Sequence, residues 1–431
     1  MHITWRSYGI MVVIVVLGIA AQWLPGWTGA AWRALAASLL VVILLEAQWV
    51  RRRAIECVRE LPGRLFLGRP QRVILQLNNH GSERLRVNVA QPLPTGFNGD
   101  QAILEYDLAP GANAQRAVML VPSALGTYSW TPLYLRVRGC FGLAWWQRRV
   151  AVPTVSEVVP DALTDTEHRV ATTAVGDLRS RTAGVGVDFL GLRPYVRGDL
   201  PRSVDWKATA RTGQLNVRIF AQEQRLELLV LLDCSRRSAL AAGSLSRLHQ
   251  YVNVAARLAE RAQSHGDPVG LLVFADRVLD RLPPATGPAA LVRLRAALTK
   301  ARPLATESNL LQAALSVRRM LGNRALIVLF TDLDVEEYGG QGLEALKLLT
   351  PKHLPLVASV YDEELEAQRT APARNWRDPF DMLAALELER AVATNQARAR
   401  RLGAKVVRAR PLDLDRAVLE AYGGVRQQRL V

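Results

Sequence analysis

The stretch ELLVLLDCSRRSAL, Glu227 to Leu240, runs an apolar segment into a carboxylate, Asp233, and follows it with Ser235, Arg236 and Arg237. A carboxylate at such a point has two chemical uses. It can donate oxygen to a hard cation such as Mg²⁺ or Mn²⁺, or it can cap the helix that follows. Asp276, Asp332 and Asp362 end further apolar runs of strand length. Ligands of open α/β sheets bind at the carboxyl ends of strands, so the chain concentrates charge on one edge. Without a cation, Asp233 and Asp332 would repel and one would raise its pKa. Arg236 and Arg237 weigh against a metal: a guanidinium repels it and pairs with carboxylates directly.

A second cluster lies in GVDFLGLRPYVRGDLPRSVDWKATARTGQLNVRIF, Gly186 to Phe220. PRSVDWKATART reads as a short helix with Pro201 early and Asp205 able to face Arg202 or Lys207. The spacing predicts a paired network of Arg197, Asp199, Asp205, Trp206, Lys207 and Arg211 at a domain junction. The other reading is a surface that binds a partner or an anion. Several chemistries lack their motifs. There is no GKS/GKT phosphate loop, GVG lacks the third glycine of a dinucleotide loop, and neither HExxH nor GxSxG occurs. Cys57, Cys140 and Cys234 are too dispersed for a zinc site or a disulfide framework. The tripeptide RGD at Arg197–Asp199 is common by chance.

Four kinds of segment position these residues. Tyr8–Leu24 is uncharged, and Ala31–Val50 carries only Arg33 and Glu46, near its ends. A membrane span needs about 20 apolar residues, with about 17 as the lower limit. Trp5, Trp23, Trp27, Trp32 and Trp49 flank the runs as an aromatic belt does. No A-x-A-like cleavage site follows the first run, and a second run comes at once, which argues against a signal peptide. Arg6 and Arg51–Arg53 lie outside the hairpin, so the positive-inside rule places both termini in the cytoplasm. The expectation is a multi-pass protein of the cytoplasmic (inner) membrane with its bulk in the cytoplasm.

Residues 54–160 alternate apolar and polar, as in QRVILQLNN and PLYLRVRG, between turn signals, and predict a β-sandwich-like domain. From residue 225 apolar strands alternate with helical patterns, which implies a mostly parallel sheet covered by helices. The expected division is a helical hairpin at 1–53, the β domain at 54–160, the Arg/Asp-rich junction at 161–224 and the α/β domain at 225–431.

The arginine–aspartate and DWKATAR block, followed by LLVLLDCSRRS, resembles the bacterial family known as domain of unknown function 58. That resemblance implies two membrane spans, a β-rich region and a C-terminal von Willebrand factor A-like, Rossmann-like α/β domain. It further implies a partnership with MoxR-type AAA ATPases in assembling or remodelling other proteins. An A-domain adhesion site would draw its metal ligands from Asp233, Ser235, Ser308 (or Thr306) and Asp332, with Mg²⁺ or Mn²⁺ as the ion. The serine expected next falls on Arg237, with Ser238 one place late.

The net charge of +16 suggests an acidic partner: anionic lipid, nucleic acid or an acidic protein surface. No nucleic-acid motif accompanies the charge. The reading is therefore a membrane-anchored scaffold without catalytic residues. The alternatives are a metal-dependent hydrolase using Asp233 and Asp332, or an anion or nucleic-acid binder using the Arg-rich block.

Overall fold

A computed structural model describes residues 2–23, 27–99, 103–161, 182–184, 188–222, 225–332, 336–370 and 372–428. The chain divides into two compact units, Met1–Val159 and Pro160–Val431.

In the first unit, the helices Trp5–Trp23 and Thr28–Arg51 are long and apolar enough to cross a membrane. Many of their apolar residues lie on the surface, Val12, Val16, Ile19, Leu40 and Leu44 among them. Three sheets follow. The strand order of the first is His2–Ile3, Ala144–Val150, Leu133–Arg138, Leu85–Ala90 and Leu104–Leu108. The second runs Ile55–Glu60, Gln71–Asn79, Asn113–Pro122 and Phe97–Gly99, and the third Arg64–Phe66, Val155–Val159 and Gly126–Ser129. In Gln71–Asn79 the residues Val73, Leu75 and Leu77 are buried while their neighbours are less so, because successive side chains leave a strand on opposite faces. Leu75 and Leu77 share one apolar core with Val87, Val89, Leu135 and Val137 of the first sheet.

The second unit begins with a small antiparallel sheet, Thr182–Gly184, Asn216–Gln222 and Asp188–Pro194 in that order, carrying the helix Trp206–Thr212. A six-stranded sheet follows in the order Val278–Ala285, Val269–Phe274, Leu228–Asp233, Leu326–Phe330, Leu354–Val360 and Lys405–Ala409. Only the pairing of Val278–Ala285 with Val269–Phe274 is antiparallel. Every residue of Leu228–Asp233 is buried, as a strand covered on both faces requires. Leu229, Leu231 and Leu329 pack with Leu310, Ala314 and Val317 of the helix Leu310–Met320. Gly270 is required where two strands close up, since a Cβ there would lie 2.7 Å from the Leu282 carbonyl oxygen and 2.8 Å from the Pro284 nitrogen.

Candidate functional site

The three central parallel strands deliver Asp233, Asp332 and Asp362 to the same edge, each just at or past a strand end. Asp233 and Asp332 are each only 4% exposed, so their charges must be met from within the protein. Asp233 Oδ1 accepts from the Ser235 backbone N–H at 2.9 Å. Its Oδ2 accepts from the hydroxyls of Ser308 at 2.8 Å and Thr331 at 2.7 Å. Of the two hydroxyls expected on the loop, Ser308 bonds Asp233, whereas the buried Thr306 hydroxyl has no hydrogen-bond partner among the described residues. Ser238 turns back and donates to the Ser235 carbonyl at 2.7 Å.

Asp332 is met by a cation from a helix rather than from the strand-end loop. Arg247 donates to Asp332 Oδ2 at 2.6 Å and to Asp362 Oδ2 at 2.7 Å. Tyr251 donates its hydroxyl to Asp332 Oδ1 at 2.7 Å and accepts from the Val360 N–H at 3.2 Å. Burial, and then the Asp332 charge, hold the Tyr251 hydroxyl well above its ordinary pKa, so it stays a donor. Both residues come from the helix Arg247–Ser264, whose N-terminus is capped by Ser246 accepting from the His249 N–H. Their four-residue separation stacks them on one helical face. The available signal was a charged residue on a stripe that otherwise reads Leu248, Val252, Ala255 and Leu258, all buried.

Neither Arg236 nor Arg237 pairs with a strand-end carboxylate among the described residues. Arg236 is exposed and pairs with Glu307 at 2.6 Å. Arg237 is half-buried and lines the cleft beside Asp233, Tyr251 and Asp332. No ion pair joins it to a carboxylate among the described residues. The cation on Asp332 is Arg247.

The ligand set for Mg²⁺ or Mn²⁺ is thus brought together only in part. Asp233, Ser235 and Ser308 gather at one wall of the cleft, with Thr331 added. Asp332 lies at the same cleft, but a guanidinium and a phenol already occupy its two oxygens. A divalent cation using Asp332 would have to displace Arg247 or sit against its charge. The residues present do not fit the four-ligand site. No cluster of three or more His, Cys, Asp or Glu suited to a metal occurs among the described residues. Cys234, next in sequence to Asp233, is no nucleophile: burial, with Asp233 adding to it, pushes its thiol up to about 12.

The Arg/Asp-rich block is also wired differently from expectation. Asp199 pairs with Arg193, not Arg197, with oxygens at 2.7 and 2.5 Å. The chain reverses at Gly198, whose φ of +115° suits glycine, and brings Asp199 back onto Arg193 and the Val196 N–H. Asp205 caps the helix Trp206–Thr212 through the Ala208 N–H at 3.0 Å and lies 3.3 Å from Arg218. Arg197, Lys207 and Arg211 form no ion pair among the described residues. They are exposed, as are Val196, Leu200 and Arg202, and Trp206 is 66% exposed.

Residues 191–372 match the family described as "Protein of unknown function DUF58", the same family that the sequence resembles. No curated protein matches the chain. Among solved structures, the conserved hypothetical protein BatB from Bacteroides thetaiotaomicron is 18% identical, with 47% of this chain and 99% of that one covered and a TM-score of 0.32. The CARDB domain of a Pyrococcus furiosus protein, solved with di-metal ions, is 13% identical over 25% of this chain and 93% of that one, with a TM-score of 0.18. Proximal thread matrix protein 1 of the mussel byssus is 11% identical over 45% and 46%, with a TM-score of 0.30. Likenesses at that level carry no functional weight.

Proposed function

We propose that this is a non-enzymatic, membrane-anchored scaffold that docks acidic partner proteins and works with a MoxR-type AAA ATPase. In this reading the two apolar helices anchor it in the inner membrane. The sheet-rich first unit is a β-sandwich-like spacer, and the six-stranded sheet with its helices is a von Willebrand factor A-like domain. The observation that carries the reading is the state of the cleft. Its carboxylates are engaged by Ser235, Ser308, Thr331, Tyr251 and Arg247, while Arg237 lines the cleft with no ion pair among the described residues. An A-domain metal holds a position open for a partner's carboxylate. Here Arg237 offers the same carboxylate a bidentate guanidinium. The exposed face of Arg197, Arg202, Trp206, Lys207 and Arg211 supplies a second basic and aromatic surface, the composition favoured at protein interfaces.

The test is co-expression of the full chain with a MoxR-type ATPase, followed by co-purification in detergent. Stable complex formation is expected, weakened at least about tenfold by Arg237→Glu, since breaking a charge pair at an interface costs about 2–5 kcal/mol. Absence of a complex sinks the ATPase partnership. A complex indifferent to both Arg237→Glu and Trp206→Ala sinks the assignment of the two surfaces. A second reading, binding of nucleic acid or another anion, draws on the same exposed cations. It requires an affinity that falls steeply with salt.

A further inference from the structure

Reading Trp5–Trp23 and Thr28–Arg51 as membrane spans leaves one carboxylate to explain. Glu46 lies five residues before the end of the second helix, about 7.5 Å along its axis. That helix has 24 residues and is about 36 Å long, against a hydrocarbon core of about 30 Å. Glu46 is therefore at, or just inside, the hydrocarbon boundary, where an ionisable group needs partners within the protein. Its relative exposure is 0%. The backbone N–H groups of Phe141 and Leu143 donate to Oε1 and that of Ala144 to Oε2, each at 3.2 Å.

These donors lie in or beside the tip 139–143, which joins the strands Leu133–Arg138 and Ala144–Val150. Gly139 permits the approach, because a Cβ there would overlap the Glu46 carboxyl group. The start of the first helix grips the same tip. Thr4 donates its hydroxyl to the Gly142 carbonyl at 2.8 Å, and Ser7 donates to Leu143 at 2.5 Å. The strand His2–Ile3 pairs with Trp145 and Ala144. Two helix ends of opposite direction thus hold the tip at their own depth. Its outward groups suit a lipid interface: Phe141 is 57% exposed and the neighbouring helix start carries Trp5, 86% exposed. Aromatic rings gather at that layer, and the exposed Arg51 and Arg52 favour anionic headgroups.

We infer that the tip 139–143 is a lipid-contacting site: Phe141 enters the interfacial layer of an anionic bilayer beside Trp5, and Glu46 holds it there. The inference rests on the spanning reading of the helices. Cys140, the exposed cysteine, reports on it, since Cys57 and Cys234 are buried. The full chain is labelled at Cys140 with an environment-sensitive NBD fluorophore and reconstituted into phosphatidylethanolamine–phosphatidylglycerol vesicles. Flotation with the vesicles after an alkaline wash comes first, and failure to float overturns the spanning reading and the tip site with it. In floating protein, quenching by lipids spin-labelled near the headgroup and protection from iodide are expected. A label at Gly63→Cys in a Cys140→Ser background should behave in the opposite way, because Gly63 is exposed and follows the far end of the strand Ile55–Glu60. Iodide quenching at Cys140 as strong as at position 63, in protein that floats, overturns the tip site alone. Glu46→Ala removes the acceptor and keeps the helix apolar, so iodide protection should be lost. Retained protection overturns the holding role of Glu46.

Discussion

The guanidinium of Arg247 touches Asp332 and Asp362, carboxylates that follow two adjacent strands. One fixed cation therefore joins side chains that would otherwise present like charges to each other. Arg247 and Asp332 are each 4% exposed, so removing one partner leaves the other charge buried and uncompensated. Arg247→Met should destabilise the full chain by about 3–5 kcal/mol, and Arg247→Met with Asp332→Asn should recover much of that loss. Denaturant unfolding in detergent checks both, and a double variant no more stable than the single one would refute the pairing argument. A companion experiment concerns the metal. Mg²⁺ should leave the melting temperature of the wild type unchanged and raise that of Arg247→Ala, because the smaller residue frees Asp332 for a cation. A Mg²⁺-dependent rise in the wild type would show that the cleft takes metal despite Arg247.

Elements explain why part of this was legible in sequence. The runs LELLVLLD and RALIVLFTD read as strands because both faces of the central sheet are covered, so every position is apolar. QRVILQLNN reads as a strand for the opposite reason, since only alternate residues are buried. The carboxylates at the strand ends were visible for the same reason. Arg247 was not, because a helical stripe tolerates one cation at its N-terminal end without losing its period. The Arg193–Asp199 pair was hidden by a chain reversal at Gly198, which linear spacing does not reveal. Asp205 reads from spacing as a partner of Arg202 or Lys207 in a paired network, but it is a helix cap with a part-exposed neighbour, Arg218. Asp205→Ala should therefore cost only about 0.5–2 kcal/mol, the range for losing a cap, and a drop in stability well beyond that would favour the buried network instead. The turn before Leu354–Val360 carries His353, 2% exposed, whose ring nitrogens have no hydrogen-bond partner among the described residues. Burial pushes its pKa down to about 4, with Lys352 and Arg318 adding to the effect, and burial does the same to His249, helped by Arg302. Unfolding lets both bind protons near their ordinary value of about 6.5. Stability from these residues is thus complete above that pH and is lost as pH falls from about 6.5 toward about 4. Unfolding free energies measured across that window should decline with acid, and less steeply in His353→Leu.

For the whole molecule, the distribution of charge matters more than its sum. The net charge is +16, yet the turn between the two apolar helices has only Arg33 nearby, while Arg6 and Arg51–Arg53 stand at the opposite ends. Cations near helix ends remain on the cytoplasmic side during insertion. In the proposed topology the same side would carry the tip held by Glu46 and the strands that begin at Ile55. In that topology both units would share the reducing compartment. Alkaline phosphatase folds only where disulfides form, so a fusion after Arg53 should be inactive and one at Gly26 active. A cytoplasmic fluorescent reporter should give the reverse pattern. Replacing Arg51, Arg52 and Arg53 with glutamine while adding arginines near Gly26 should invert both signals, because the arginine bias then favours the other orientation. Phosphatase activity after Arg53 in the unaltered chain would put the cleft and the basic face outside the cytoplasm, beyond the reach of any ATP-driven partner, and the proposed function would fall with the topology.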